Sequence, residues 1–366
     1  MRLFFAFIFL FLAGCTAKNV QTNKVIAPVR GGNAGVVPYH LERISRLTGA
    51  TLPEDTVPDL GHTTKYSVGG TDLGIFWKMG DGRTGIFFGD TYGNDFRPTK
   101  GGPGDASQWR NNVLAFTNDN VLHDGLTIDE MLVRPEQPDY AIEAFQKAKG
   151  SHTAIPTSAV HIDGTDYVHY FDLLKWNGWV TAFSSIYKST DNGNTWQRCY
   201  EVVFNRGSKF SVVAYAQEGD WIYMIGSATL RKSEPYLARF KKGDILKQSR
   251  YEYWNISKGW VRGNEAEATA IFPGPVGEAS LFYHEEFKSW IYVYLNDAAR
   301  RIELRDAEKI TGPWSEARML VSADDYPGLY GPFIHPGSKG EDLYFTMSQW
   351  RPYNVYFMRA KLKYVN

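Results

Sequence analysis

The feature that most constrains this chain is a hairpin that keeps returning: two short apolar or alternating runs split by a tight polar turn. Ile75–Met79 and Thr84–Phe88 flank Gly80-Asp81-Gly82-Arg83. Ala159–Ile162 and Tyr167–Tyr170 flank Asp163-Gly164. The scheme recurs at Ser211–Tyr215 with Trp221–Ile225, at Ser280–His284 with Trp290–Leu295, and at Leu343–Ser348 with Val355–Leu362. Asp-Gly between such runs favours the left-handed turn that closes a two-residue hairpin. Five groups at intervals of roughly 40 to 60 residues predict an all-β chain, and a repeat of that length favours a β-propeller over a sandwich or barrel. A sharper mark lies inside the series. Ser189-Thr-Asp191-Asn-Gly193-Asn-Thr-Trp196 has the Asp-box form Ser-x-Asp-x-Gly-x-Thr-Trp. Asp191 and Gly193 suit a tight turn between two blade strands, with Trp196 packed beneath, so Asp191 is a turn residue and no catalyst. By count, the expectation is a five-bladed β-propeller over residues 59–366. Only 139–149 and 306–310 are expected to be helical, both briefly.

The first residues predict export. Met1-Arg2 is followed by an apolar run, Leu3–Leu12, containing five Phe, and then by Leu12-Ala13-Gly14-Cys15. That run is too short to span a bilayer, so residues 1–14 read as a cleaved lipoprotein signal. Cys15 is the expected lipidation site and membrane anchor, since two or more acyl chains make attachment stable. Thr16, in place of Asp, leaves the outer membrane as the expected destination in a Gram-negative host. Residues 15–58, polar and rich in Gly, Pro and Asn, read as a tether holding at most one early strand. Beyond Cys15 only Cys199 remains, so no internal disulfide is available, and Cys199 reads as a packed thiol. Lys and Arg total 40 against 40 Asp and Glu, a balance that argues against a nucleic-acid partner. The 11 Trp suit both propeller cores and the stacking of carbohydrate rings.

A propeller binds ligands at one end of its central channel. The densest polar cluster falls in the first blade: Gly70-Thr-Asp72-Leu-Gly, Phe88-Gly-Asp90-Thr-Tyr-Gly and Trp109-Arg110-Asn111-Asn112. Asp72 and Asp90 flank one hairpin and so return to the same end of it. Two carboxylates facing one cavity are what glycoside hydrolysis needs, one as acid and one as base or nucleophile. Either could instead cap a Gly-rich turn. Arg231, Glu234, Glu265, Glu267 and Glu278 are further candidates. The histidines lack zinc-site spacing, and no serine-hydrolase elbow or phosphate loop occurs, so neither a metal nor another cofactor is expected.

These first-blade motifs, with Gly277-Glu278-Ala-Ser-Leu-Phe-Tyr, Leu329-Tyr330-Gly-Pro-Phe-Ile-His335-Pro and Met347-Ser-Gln-Trp-Arg-Pro-Tyr353-Asn-Val, resemble glycoside hydrolase family 183, formerly the uncharacterised domain family 4185. The resemblance runs over roughly residues 60 to 363. It implies a five-bladed propeller with endo-D-arabinanase activity on the α-D-arabinofuranose chains of mycobacterial arabinogalactan and lipoarabinomannan. The acidic pair would be Asp72 and Asp90, with inversion the expected outcome. Trp109, Arg110, Asn111, Glu278, Tyr330 and His335 would position the polysaccharide. The insertion over 96–108 bears on whether cleavage is endo or exo. Two other classes stay open: a different propeller glycosidase, such as a sialidase using Arg110, Arg231 and Arg262, and a non-catalytic sugar-binding lipoprotein.

Overall fold

A computed structural model describes residues 25–366, apart from 51, 53–54, 98–105, 107, 134–139 and 145–151. The signal segment, Cys15 and most of the 96–108 insertion therefore lie outside the described residues. The first long element is β1 (Gly35–Arg46). The first blade follows, with β2 (Leu73–Lys78), β3 (Thr84–Phe88), a small ribbon of β4 (Thr91–Tyr92) and β5 (Trp109–Arg110), then β6 (Val113–Thr117) and β7 (Glu130–Met131). The second comprises β8 (Thr153–Ile162), β9 (Thr165–Lys175), β10 (Val180–Ser189) and β11 (Gln197–Asn205). The third has five strands: β12 (Val212–Glu218), β13 (Trp221–Ser227), β14 (Tyr236–Lys241), β15 (Glu252–Asn255) and β16 (Gly259–Arg262). The fourth holds β17 (Ala279–His284), β18 (Ser289–Asn296), β19 (Arg301–Ala307) and β20 (Arg318–Ser322). The fifth holds β21 (Leu329–Ile334), β22 (Asp342–Gln349) and β23 (Asn354–Val365), with β1 as its outermost strand.

Five antiparallel sheets thus form a five-bladed β-propeller, as the hairpin count predicted. Their innermost strands β2, β8, β12, β17 and β21 abut in a ring, with β21 returning to β2. The turns form as their residues dictate. Asp163 (φ 47°) and Gly164 (φ 80°) are both left-handed between β8 and β9, the geometry a two-residue hairpin demands. In the Asp-box, Ser189 Oγ donates to Asp191 Oδ1 (2.8 Å), which also accepts from the Thr195 amide (2.8 Å), and Trp196 Nε1 donates to the Gly193 carbonyl (3.0 Å). The Trp196 ring then packs edge-on against Phe87 of the first blade, centroids 5.2 Å apart. A local turn motif therefore supplies a contact between blades.

One early strand is present ahead of the first blade, and one expectation is corrected. The stretch read as a tether up to residue 58 contains β1, which pairs with β23 from Gly35↔Val365 to Arg46↔Tyr356. Its pattern is weak because it is an edge strand, and its Pro38 sits at a register shift, where an edge strand tolerates a missing donor. The helix expected over 306–310 is absent. Asp306 lies in β19, fully buried, with Arg30 and Arg318 each 2.7 Å away. The second expected helix, 139–149, lies largely outside the described residues, and 140–144 are not helical.

Candidate active site

At the end of the ring where the innermost strands of all five blades begin, a cavity of about 400 Å³ opens. Asp72 sits just ahead of β2. Leu73 (φ 69°) and Gly74 (φ 94°) are left-handed there, and the β2–β3 register slips between Leu73 and Ile75. Such a bulge re-aims the side chain beside it, and the Leu73 amide is held by donation to Ser348 Oγ of the fifth blade (2.8 Å). Asp90 comes two residues after β3. Between them in space stands Gly89, whose amide donates to the Asp72 carbonyl (3.1 Å). A Cβ at position 89 would fall 2.3 Å from Asp72 Oδ1, so only glycine leaves room for that carboxylate.

The two acids have different surroundings. Asp72 Oδ2 accepts from the hydroxyls of Tyr330 (2.9 Å) and Tyr353 (3.1 Å). Burial raises its pKa to about 7, against the pull of the two tyrosine hydrogen bonds, while the nearby Glu278 charge raises it and Arg231 lowers it. Asp90 is 6% exposed, and its Oδ1 accepts from Thr153 Oγ1 of β8 (2.8 Å). Burial first, and the charge of Asp72 second, push Asp90 well above the usual carboxylate range; the Thr153 bond opposes them weakly. Both acids are thus held above the ordinary carboxylate range, and the charge of one raises the other. One buried carboxylic acid beside one ionisable carboxylate can donate a proton to one side of a bond and activate a nucleophile on the other.

The wall is aromatic. Trp176 and Trp179 flank Asn177-Gly178 at the β9–β10 turn, Trp350 follows β22, and Phe171 and Tyr92 complete this part of the lining. Arg231 reaches in from the β13–β14 loop. Its Nε (3.0 Å) and Nη2 (2.7 Å) both donate to Glu278 Oε1, and its guanidinium lies 5.3 Å from the ring centroids of both Trp179 and Tyr330.

Of the residues expected from sequence, Asp72, Asp90, Glu278 and Tyr330 line this cavity, and Arg231 joins them. The other expected contacts do not. Trp109 and Arg110 belong to the β4–β5 ribbon; Arg110 donates to the Ser67 carbonyl, and Trp109 is exposed outside the cavity lining. Asn111 is buried, and its carbonyl accepts from Thr153 (3.4 Å), so it sits behind Asp90's partner. His335 is a correction as well. It follows the far end of β21, five residues beyond Tyr330, roughly 17 Å along an extended strand. It is buried edge-on against Phe76 (4.7 Å), and burial lowers its pKa to about 3, leaving a neutral core ring. Glu265 accepts from Ser208 and the Lys209 amide, Glu267 pairs with Lys258, and neither these nor Glu234 or Arg262 line the cavity. Cys199 is buried, its thiol pushed up to about 12 by burial. Among the described residues no group of three or more His, Cys, Asp and Glu is placed to hold a metal.

Sequence reasoning missed Thr153, Tyr353, Trp176, Trp179 and Trp350. The Trp-Asn-Gly-Trp turn offered a signal, since two indoles at a blade end have little core to fill. Thr153 offered none.

The family described as a domain of unknown function, DUF4185, matches residues 60–359. Among curated proteins, the chain is similar to Notoamide biosynthesis cluster protein J' of Aspergillus versicolor, 27% identical over 311 residues, spanning 78% of this chain and 82% of the relative. Among solved structures it is similar to the exo-β-1,3-galactanase of Phanerochaete chrysosporium (TM-score 0.54, 9% identity, 89% of this chain and 67% of the other). It is likewise similar to a family 117 glycoside hydrolase of Zobellia galactanivorans (TM-score 0.51, 13% identity, 88% and 90%). At such identities the likeness is one of fold.

Proposed function

Because the chain belongs to the DUF4185 family and sets two unlike carboxylates at one mouth of a propeller channel, we propose that it is a glycoside hydrolase. The observation that carries this reading is the split between Asp90, buried and proton-holding, and Asp72, anchored by two tyrosine hydroxyls. Asp90 is the general acid that protonates the leaving oxygen. Asp72 is the base, with Oδ2 fixed by Tyr330 and Tyr353 and Oδ1 free of protein hydrogen bonds among the described residues. The aromatic wall supplies stacking faces for sugar rings.

For the substrate, the resemblance of the first-blade and closing motifs to glycoside hydrolase family 183 supports α-D-arabinofuranosyl linkages in D-arabinan, cleaved internally with inversion. The leader and Cys15 support an exported lipoprotein held at a membrane, the outer one in a Gram-negative host. A sialidase fits poorly, because of the three arginines it would require only Arg231 lines the cavity. A purely sugar-binding role leaves the carboxylate pair without a purpose.

The test is product release by the purified protein from mycobacterial arabinogalactan, beside L-arabinan and sialyllactose. Oligosaccharides are expected from D-arabinan alone, with Asp72→Asn and Asp90→Asn each slowing release about 10²–10⁴-fold, the span of general acid–base catalysis. Monosaccharide products would replace internal cleavage with exo action. Release that survives both substitutions would remove the mechanism, and no release from any substrate would favour the binding role.

A further inference from the structure

Arg231 is placed at a conformational cost. Leu230 (φ 83°) and Arg231 (φ 56°) are consecutive left-handed residues without glycine, an arrangement that persists only where surrounding contacts enforce it. What the loop gains is a guanidinium inside the cavity, braced by the rings of Trp179 and Tyr330. Gly277, next to Glu278, keeps the space open: a Cβ there would lie 3.1 Å from Arg231 Cγ. Both donations from Arg231 go to Glu278 Oε1, which leaves Oε2 buried without a hydrogen-bond partner. A buried carboxylate oxygen with no donor is costly, and a donor carried in by a ligand relieves that cost. The remaining charge near Arg231 is Asp297, 3.9 Å away and mostly exposed. The cavity thus sets three carboxylates, Asp72, Asp90 and Glu278, against one guanidinium that Glu278 already neutralises.

We propose that Arg231 and Glu278 form a subsite for the hydroxyl-bearing edge of an uncharged sugar, with exposed Trp176 as the stacking face beside it. Glu278 accepts from a ring hydroxyl, and Arg231 is a positioning residue that holds it. A carboxylated sugar is excluded, since it would add a further negative group beside Asp72 and Glu278 where, among the described residues, the one lining guanidinium is already paired. This rests on the glycosidase reading and specifies what that site recognises.

The experiment is calorimetric titration of the slowed Asp90→Asn protein with oligosaccharides of D-arabinan, L-arabinan and galactan as neutral ligands and sialyllactose and trigalacturonate as anionic ones. Neutral ligands should bind at least tenfold more tightly than anionic ones. Adding Glu278→Gln should weaken the neutral ligand about tenfold, and Trp176→Ala, in an exposed turn, should do likewise without disturbing the fold. In the active enzyme, Glu278→Gln should raise KM about tenfold with kcat within a few-fold. It should also shift the rising limb of the pH profile downward, which a merely structural role would not do. Binding within twofold of the parent in both variants, or anionic ligands bound as tightly as neutral ones, would overturn the subsite. A neutral glycan other than D-arabinan that binds and responds to Glu278→Gln would keep the subsite and sink the D-arabinan reading. Failure of every neutral ligand to bind would remove both.

Discussion

In the proposed mechanism the two aspartates are separated in role by their hydroxyl partners as much as by burial. Asp72 takes two hydrogen bonds on one oxygen, and each favours its ionised form; Asp90 takes one, from Thr153. Because Asp72 must lose its proton to act as a base, activity should rise with pH through about 7. It should fall only where Asp90, held well above the normal range, ionises. Removing a hydroxyl from Asp72 weakens the charged form, so Tyr330→Phe and Tyr353→Phe should each move the rising limb upward, by about one pH unit for a bond to a charged group. The pH dependence of kcat/KM checks this. A limb unmoved in both variants would mean that Asp72 is not the titrating base.

At the scale of elements, turns build the scaffold and strand ends carry the chemistry. The Asp-box joins β10 to β11 and sends Trp196 into the seam against Phe87 and Trp77, but none of its residues lines the cavity. Asp191→Ala removes acceptors for Ser189 and for the Thr195 amide and hydroxyl (2.5 Å). It should cost about 1–2 kcal/mol of stability and leave kcat within twofold, as denaturant unfolding and initial rates would show. The box was legible because its hydrogen bonds close within eight residues. Thr153 was not, because what singles it out is a partner 63 positions away on another blade. His335 failed in the opposite sense. It shares a motif with Tyr330, yet one strand carries the two to opposite ends of the ring.

The whole molecule depends on closing its circle. β1 completes the fifth blade beside β23, and the chain just ahead of it is pinned to the fourth blade by Arg30, which pairs with Asp306 as Arg318 does. Asp306 is fully buried, so its loss strands two guanidinium groups rather than one contact. Asp306→Ala should destabilise the protein by about 3–5 kcal/mol, the range for breaking a buried ion pair from one side. Urea unfolding would measure it, and a change below about 1 kcal/mol would show that the clasp does not hold the ring.

By itself the sequence determined what is local: the hairpins, their turns, the blade repeat and the flanking of one hairpin by Asp72 and Asp90. Turn chemistry and strand alternation act over a few residues, and a repeat is visible wherever it recurs. Only the tertiary structure decided which residues share the cavity. It brought Thr153, Arg231, Glu278, Tyr330 and Tyr353 from four blades to the first-blade pair, and it took Trp109, Arg110, Asn111 and His335 away. It also set the one early strand, β1, against the last strand at the edge of the fifth blade. The reason is geometric. In a propeller each blade contributes the start of its inner strand to the common axis, so the site is assembled by closure of the circle and not by proximity along the chain.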